Sequence, residues 1–272
     1  MKKLFLIVPL VILVGCKDEK DPGVPPQFEV FSIQPLYSEL KGKQDSYMDL
    51  PSDISDAQDI LINGCQKLAN SLTNVTYSDT NKVCDKSLTK ELVSSFKKNS
   101  IIVFQNHGFY EDDIHSIIAS GENYPWDEET DEYMVDVNEG RVVDYIGCMT
   151  GECYTSKWID KYCPDITGSI VYLECCYSTT DSTLANAFIN KGAKAVYGNS
   201  TYVMMRYGDL MCNEIIQSLG QVNPQTNKLY TTGEALQKAK TKYASNQRII
   251  YDYDPVEECE VQLIGSSDYR LQ

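Results

Sequence analysis

The 272-residue sequence predicts an α/β fold, with a mostly parallel sheet covered by helices on both faces. Three observations carry this. Short runs of strand length recur along the chain, the apolar Ile101–Phe104 and Ile170–Leu173 and the mixed Ala193–Tyr197. Longer amphipathic stretches of helical length separate them. Regular alternation of the two implies parallel strands joined by helical crossovers.

In chain order, Phe28–Ile33 reads as a first strand, 55–72 as an amphipathic helix and Asn74–Tyr77 as a second strand. Residues 87–98 read as a helix leading into the strand that ends at His107. The stretch 114–143 is acidic and rich in turn residues, with short alternating pieces such as Tyr133-Met134-Val135. It is expected to form a loop plus hairpin over the sheet edge, where substrate-contacting loops usually sit. Tyr154–Tyr162 reads as a short helix, Ile170–Leu173 as a buried strand, and 182–190 as a helix ended by Gly192. After the Ala193–Tyr197 strand come helices near 207–219 and 233–243, and Glu260–Ile264 closes the sheet.

The N-terminus reads as an export signal. Lys2-Lys3 precedes an apolar stretch from Leu4 to Val14, too short to span a bilayer comfortably. Leu13-Val14-Gly15-Cys16 resembles a bacterial lipobox, which implies removal of residues 1–15 and a lipid on Cys16. Residues 16–26 then form a charged, proline-containing tether similar to that of surface lipoproteins of Bacteroidetes-type bacteria. The expected location is the outer membrane, facing the cell exterior. Residues 27–272 are expected to form one domain. A net charge of −15 argues against nucleic acid as a partner. Ten cysteines in an exported chain, less Cys16 and one free thiol, permit up to four disulfides; Cys148–Cys153 and Cys65–Cys84 are candidate pairs.

Two apolar runs deliver chemistry at their C-terminal ends, the edge where open α/β sheets build sites. One leads through Gln105-Asn106 to His107-Gly108, the other to Glu174-Cys175-Cys176. The chain has two histidines; His115 lies in the acidic stretch without a strand-Gly context. A thiol needs an imidazole to be a strong nucleophile near neutral pH. The pairing points to a cysteine hydrolase.

Asn106-His107-Gly108, Leu173-Glu174-Cys175-Cys176-Tyr177-Ser178, the run from Ala187 to Gly198, and Gln262-Leu263-Ile264-Gly265 together resemble the caspase-like cysteine peptidases, nearest to the clostripain and gingipain type. Ser266-Ser267 departs from the Asp-Pro usual after the last of these. The resemblance covers roughly residues 95–272. It implies a caspase-like three-layer sandwich and a surface-anchored endopeptidase acting on peptides or proteins through a thioester. Cys176 is then the nucleophile, with Cys175 in the slot usually held by alanine. His107 is the acid-base partner, and Gly108 lends a backbone N–H to an oxyanion hole. Glu174 favours a basic residue at P1, and Asn199 and Ser200 wall the same pocket. No cofactor or metal is expected, although the acidic run 127–132 could take calcium. The competing reading is a caspase-folded binding or adhesion lipoprotein without activity.

Overall fold

The computed structural model describes residues 26–35, 59–86, 88–121, 131–144, 152–203, 205–243 and 259–271. The expected signal segment, Cys16, its tether up to residue 25, Cys148 and residues 127–130 of the acidic run lie outside the described residues.

Seven strands form the central sheet: β1 (Phe28–Gln34), β2 (Val75–Thr76), β3 (Lys82–Cys84), β4 (Ser100–Gln105), β9 (Ile170–Glu174), β10 (Ala195–Asn199) and β13 (Val261–Gly265). Their order is β13-β10-β9-β4-β1-β2, with β3 also pairing β1. All pairs are parallel except β10 with β13. Alternation along each strand divides the core in two. Phe28, Val30, Ile101, Val103, Ile170 and Tyr172 face one side, packed against α1 (Asp59–Ser71), α6 (Met205–Leu219) and α7 (Thr232–Tyr243). Phe31, Ile33, Ile102, Phe104, Val171 and Leu173 face the other, packed against α2 (Lys90–Ser94), α4 (Ser156–Tyr162) and α5 (Thr183–Asn190). The strands read as continuous apolar runs because both of their faces are buried. The result is the expected three-layer α/β arrangement with a mostly parallel sheet.

A second, four-stranded sheet departs from the sequence reading. It comprises β5 (Gly108–Glu111), β6 (His115–Ala119), β7 (Val142–Asp144) and β8 (Glu152–Tyr154), in the order β5-β6-β8-β7. A short hairpin of β11 (Val222–Asn223) with β12 (Lys228–Leu229) completes the strands described. Tyr133-Met134-Val135, expected in a hairpin, lies in α3 (Asp131–Asn138). Tyr133 packs onto the core and Asp136, three residues on, is buried. That spacing is one face of a helix, which a three-residue window cannot distinguish from alternation.

The expected disulfides do not form among the described cysteines. Cys65, Cys84, Cys153, Cys163, Cys175, Cys176, Cys212 and Cys259 are all free thiols. Their placement gives the reason. Cys65, Cys212 and Cys259 lie in the core on the α6 side, Cys163 and Cys175 in the core on the α5 side, and Cys153 beneath the small sheet. The main sheet separates the first two sets. Burial pushes the Cys65, Cys163 and Cys259 thiols up to about 12, which leaves them unreactive.

Candidate active site

β4 and β9 are parallel neighbours in a register that sets Gln105 opposite Glu174. His107 and Cys176 each follow that pair by two residues. Both therefore leave the same sheet edge from adjacent strands, which lie about 4.8 Å apart in any sheet. The Asn106 N–H donates to the Glu174 carbonyl at 3.2 Å, extending the ladder one residue past β4. The Asn106 side chain accepts the His107 N–H at 2.8 Å and donates to the Ala119 carbonyl, fixing the turn that presents the imidazole. His107 is half-buried and its ring lies 6.3 Å from that of Phe109. The other histidine, His115, stands at the far end of the β5–β6 hairpin, with Nδ1 2.8 Å from Asp181.

Gly108 is where the two strand ends meet. A Cβ built on it would lie 2.2 Å from the Cys176 carbonyl oxygen and 3.1 Å from the Cys175 Cβ. Only glycine lets the backbones approach this closely. Gly108 pairs with Ile118, and the Ala119 N–H donates to the His107 carbonyl at 3.0 Å. In antiparallel pairing this makes Gly108–Ile118 a non-hydrogen-bonded pair, so the Gly108 N–H points away from β6.

The loop after β9 is held by buried polar groups. Ser178 Oγ donates to the Leu173 and Cys175 carbonyls, at 3.0 Å each, and accepts the Asn199 N–H at 2.9 Å. Asn199 Nδ2 donates to the Cys175 carbonyl at 3.1 Å. Asn199 is fully buried, so it holds the loop bearing the thiol and does not wall an open pocket. Ser200 exchanges hydrogen bonds with Glu260, its N–H donating to the carbonyl and its Oγ accepting the N–H, both at 2.9 Å. Asn199 departs from the expected role because β10 runs two residues beyond Tyr197 and buries it, whereas Ser200 follows the strand end and is half-buried.

The two neighbouring thiols differ sharply. Cys175 is buried in the core on the α5 side, and burial drives its pKa far above the thiol range. Cys176 faces the opposite side, half-buried. Its sulfur accepts the Val203 N–H at 3.3 Å and lies 3.6 Å from the Val203 carbonyl. Burial raises its pKa; the Val203 N–H and its own backbone amide partly offset that. Desolvation outweighs the stabilising N–H groups, so the Cys176 pKa lies above the ordinary thiol value.

A row of polar residues runs beneath this edge. Ile33 pairs with Phe104, and Leu173 with Gly198, so Gln34, Gln105, Glu174 and Asn199 occupy one register position across four adjacent strands. Gln34 Nε2 donates to Gln105 Oε1 at 2.6 Å, and Gln105 Nε2 in turn donates to Asp209 Oδ1. Glu174 is buried, with Oε1 against Gly208 of α6. Desolvation, followed by the neighbouring Asp209, pushes its carboxyl well above the usual carboxylate range. It shares a hydrogen bond with Asp209, while its Oε2 has no hydrogen-bond partner among the described residues.

No family model and no curated protein matches the chain. One solved structure similar to it is the Arg-specific cysteine proteinase gingipain R. The match has a TM-score of 0.43 and 10% sequence identity, and covers 81% of this chain. The chain spans 42% of the length of that structure. Among the described residues no group of three or more histidine, cysteine or acidic side chains is arranged to hold a metal ion, and no helix is long and apolar enough to cross a membrane.

Proposed function

We propose that the protein is a cysteine endopeptidase of caspase-like type, with His107 and Cys176 as its dyad. The observation that carries this reading is the β4–β9 register, which sends both residues off one sheet edge from adjacent strands. Burial raises the Cys176 pKa, which suits proton transfer concerted with attack. The Cys176 proton passes to the His107 imidazole as sulfur bonds to the peptide carbonyl carbon. The resulting oxyanion takes hydrogen bonds from the Gly108 and Cys176 N–H groups, each such donor being worth about 2.7–4 kcal/mol. His107 then passes the proton to the departing amine, leaving a thioester. Water attacks the thioester with His107 as base, releasing the acid and restoring the thiol.

The Glu174–Asp209 pair supports a basic P1 preference. Two buried acids side by side, one with an unsatisfied oxygen, would be matched by an ammonium or guanidinium group. The lipid anchor on Cys16, and with it a position on the cell surface, belongs to the same reading; the absence of labelled fatty acid from the wild-type chain would refute it. A specific observation favours the competing reading of a non-catalytic binding protein: the Cys176 sulfur is engaged by the Val203 N–H, and burial raises its pKa. Fluorogenic peptides with Arg, Lys, Asn or Asp at P1 separate the two. We expect hydrolysis of the Arg and Lys peptides, reduced at least 1,000-fold (about 4 kcal/mol) in Cys176→Ala and in His107→Ala. If all four remain intact with the wild-type protein, the binding role stands.

A further inference from the structure

A cavity of about 280 Å³ lies between the small sheet and helices α2, α3 and α4. We propose that it binds an alkylammonium or guanidinium group on an aliphatic stem, the chemistry of a lysine or arginine side chain. The lining includes Glu152 of β8, 4% exposed, whose Oε2 has no hydrogen-bond partner among the described residues. The other acids that line the cavity in this region are already matched. Asp136 is engaged by Arg141, by Lys161 at 2.8 Å and by the Tyr162 hydroxyl at 2.6 Å, and Glu132 is paired with Lys90. Glu91 is largely exposed at the rim. Tyr133 hydrogen-bonds the Glu152 carboxyl and burial raises its pKa, so one deeply buried carboxyl oxygen still lacks a counterpart, and a single cationic donor would both satisfy it and favour its charged form.

The walls select the kind of cation. Tyr154 stacks on Trp158 with centroids 4.0 Å apart, and Trp158 meets Tyr162 at 5.3 Å. Aromatic surfaces attract soft organic cations and cover their methylene stems. A hard divalent metal needs several oxygen ligands, and none of that geometry is present among the described residues. The volume falls just below the range of about 300–1,000 Å³ typical of pockets for drug-sized molecules, which suits one side chain and not a folded peptide. This inference does not rest on the peptidase reading, because none of these residues belongs to the dyad or its loop.

The full chain carrying Trp126→Phe and Cys176→Ala leaves Trp158 as the only tryptophan and removes any turnover. Its fluorescence is titrated with n-butylammonium, n-butylguanidinium and, as the uncharged counterpart, 1-butanol. We expect saturable changes with both cations, at least tenfold tighter than with butanol. Affinity should fall at least tenfold in Glu152→Gln and stay unchanged in Asp112→Asn, an exposed acid on the β5–β6 turn. A blocked tripeptide with central lysine binding more tightly than n-butylammonium identifies a peptide ligand, and equal binding a free amine; both fit the proposal. Equal response to butanol, no saturable response, or full cation affinity in a natively folded Glu152→Gln protein overturns it. If Glu152→Gln fails to fold, the contrast between cations and butanol decides.

Discussion

At Gly108 a carbonyl oxygen stands where any side chain would have to go. The Cβ of Gly108→Ala would press on the Cys176 carbonyl, and that backbone is pinned through Ser178 and Asn199 and cannot yield cheaply. The strain would fall on the Gly108 N–H and on the placement of Cys176. Gly108→Ala is therefore expected to lose about 10²–10³ in kcat/KM, the scale of one oxyanion donor, while retaining a cooperative unfolding transition. Near wild-type activity would remove Gly108 from the proposed hole. That His107 and Cys176 follow strand ends was legible in the sequence because each closely follows an apolar run, and strand ends are where open sheets present chemistry. Asn199 was misread because the same logic stops the strand at Tyr197. Its side chain holds the Cys175 carbonyl, a long-range contact that leaves no local pattern.

At the scale of elements, the packing of α6 on β9 buries Glu174. Gly208 makes room for the carboxyl and Asp209 faces it, so the pair is a feature of two elements and not of either sequence segment. Strand register alone unites Gln34, Gln105 and Glu174, three residues far apart in the chain, which is why the row could not be read beforehand. The small sheet was missed for a related reason. Its strands are three to five residues long, and such lengths carry too little alternation to mark a strand. The buried runs Ile101–Phe104 and Ile170–Leu173 were legible because burial on both faces demands unbroken apolar sequence. The Glu174 pKa, raised above its ordinary 4.5, sets a pH dependence. Its favourable contribution is fully present below about 4.5 and is lost as pH rises through the folded value. Glu174→Gln, which keeps a donor for Asp209, should therefore gain stability relative to wild type as pH rises from 4 to 8 in urea denaturation. The opposite trend would mean that the buried carboxyl is stabilised as an anion.

For the whole molecule, the three-layer arrangement followed from alternation of strand and helix, and the site depends on one consequence of it. Parallel strands place all their C-terminal ends on one edge, so an imidazole and a thiol more than sixty residues apart follow adjacent strands at that edge. The core also explains why a cysteine-rich chain needs no cross-links among its described residues. Most of the thiols are buried with apolar neighbours, on both sides of the main sheet and beneath the small one. Cys175 and Cys176 are separated by the same geometry, one turned into the core and one toward the α6 side at the site. The most direct test of the dyad is covalent labelling by a peptidyl-arginine chloromethyl ketone, in which the attacking sulfur displaces chloride, followed by peptide mapping. A single adduct on Cys176, formed at least about 100-fold more slowly in His107→Ala, is the expected result. Labelling of Cys175, no adduct at all, or an unchanged rate without the imidazole would contradict it.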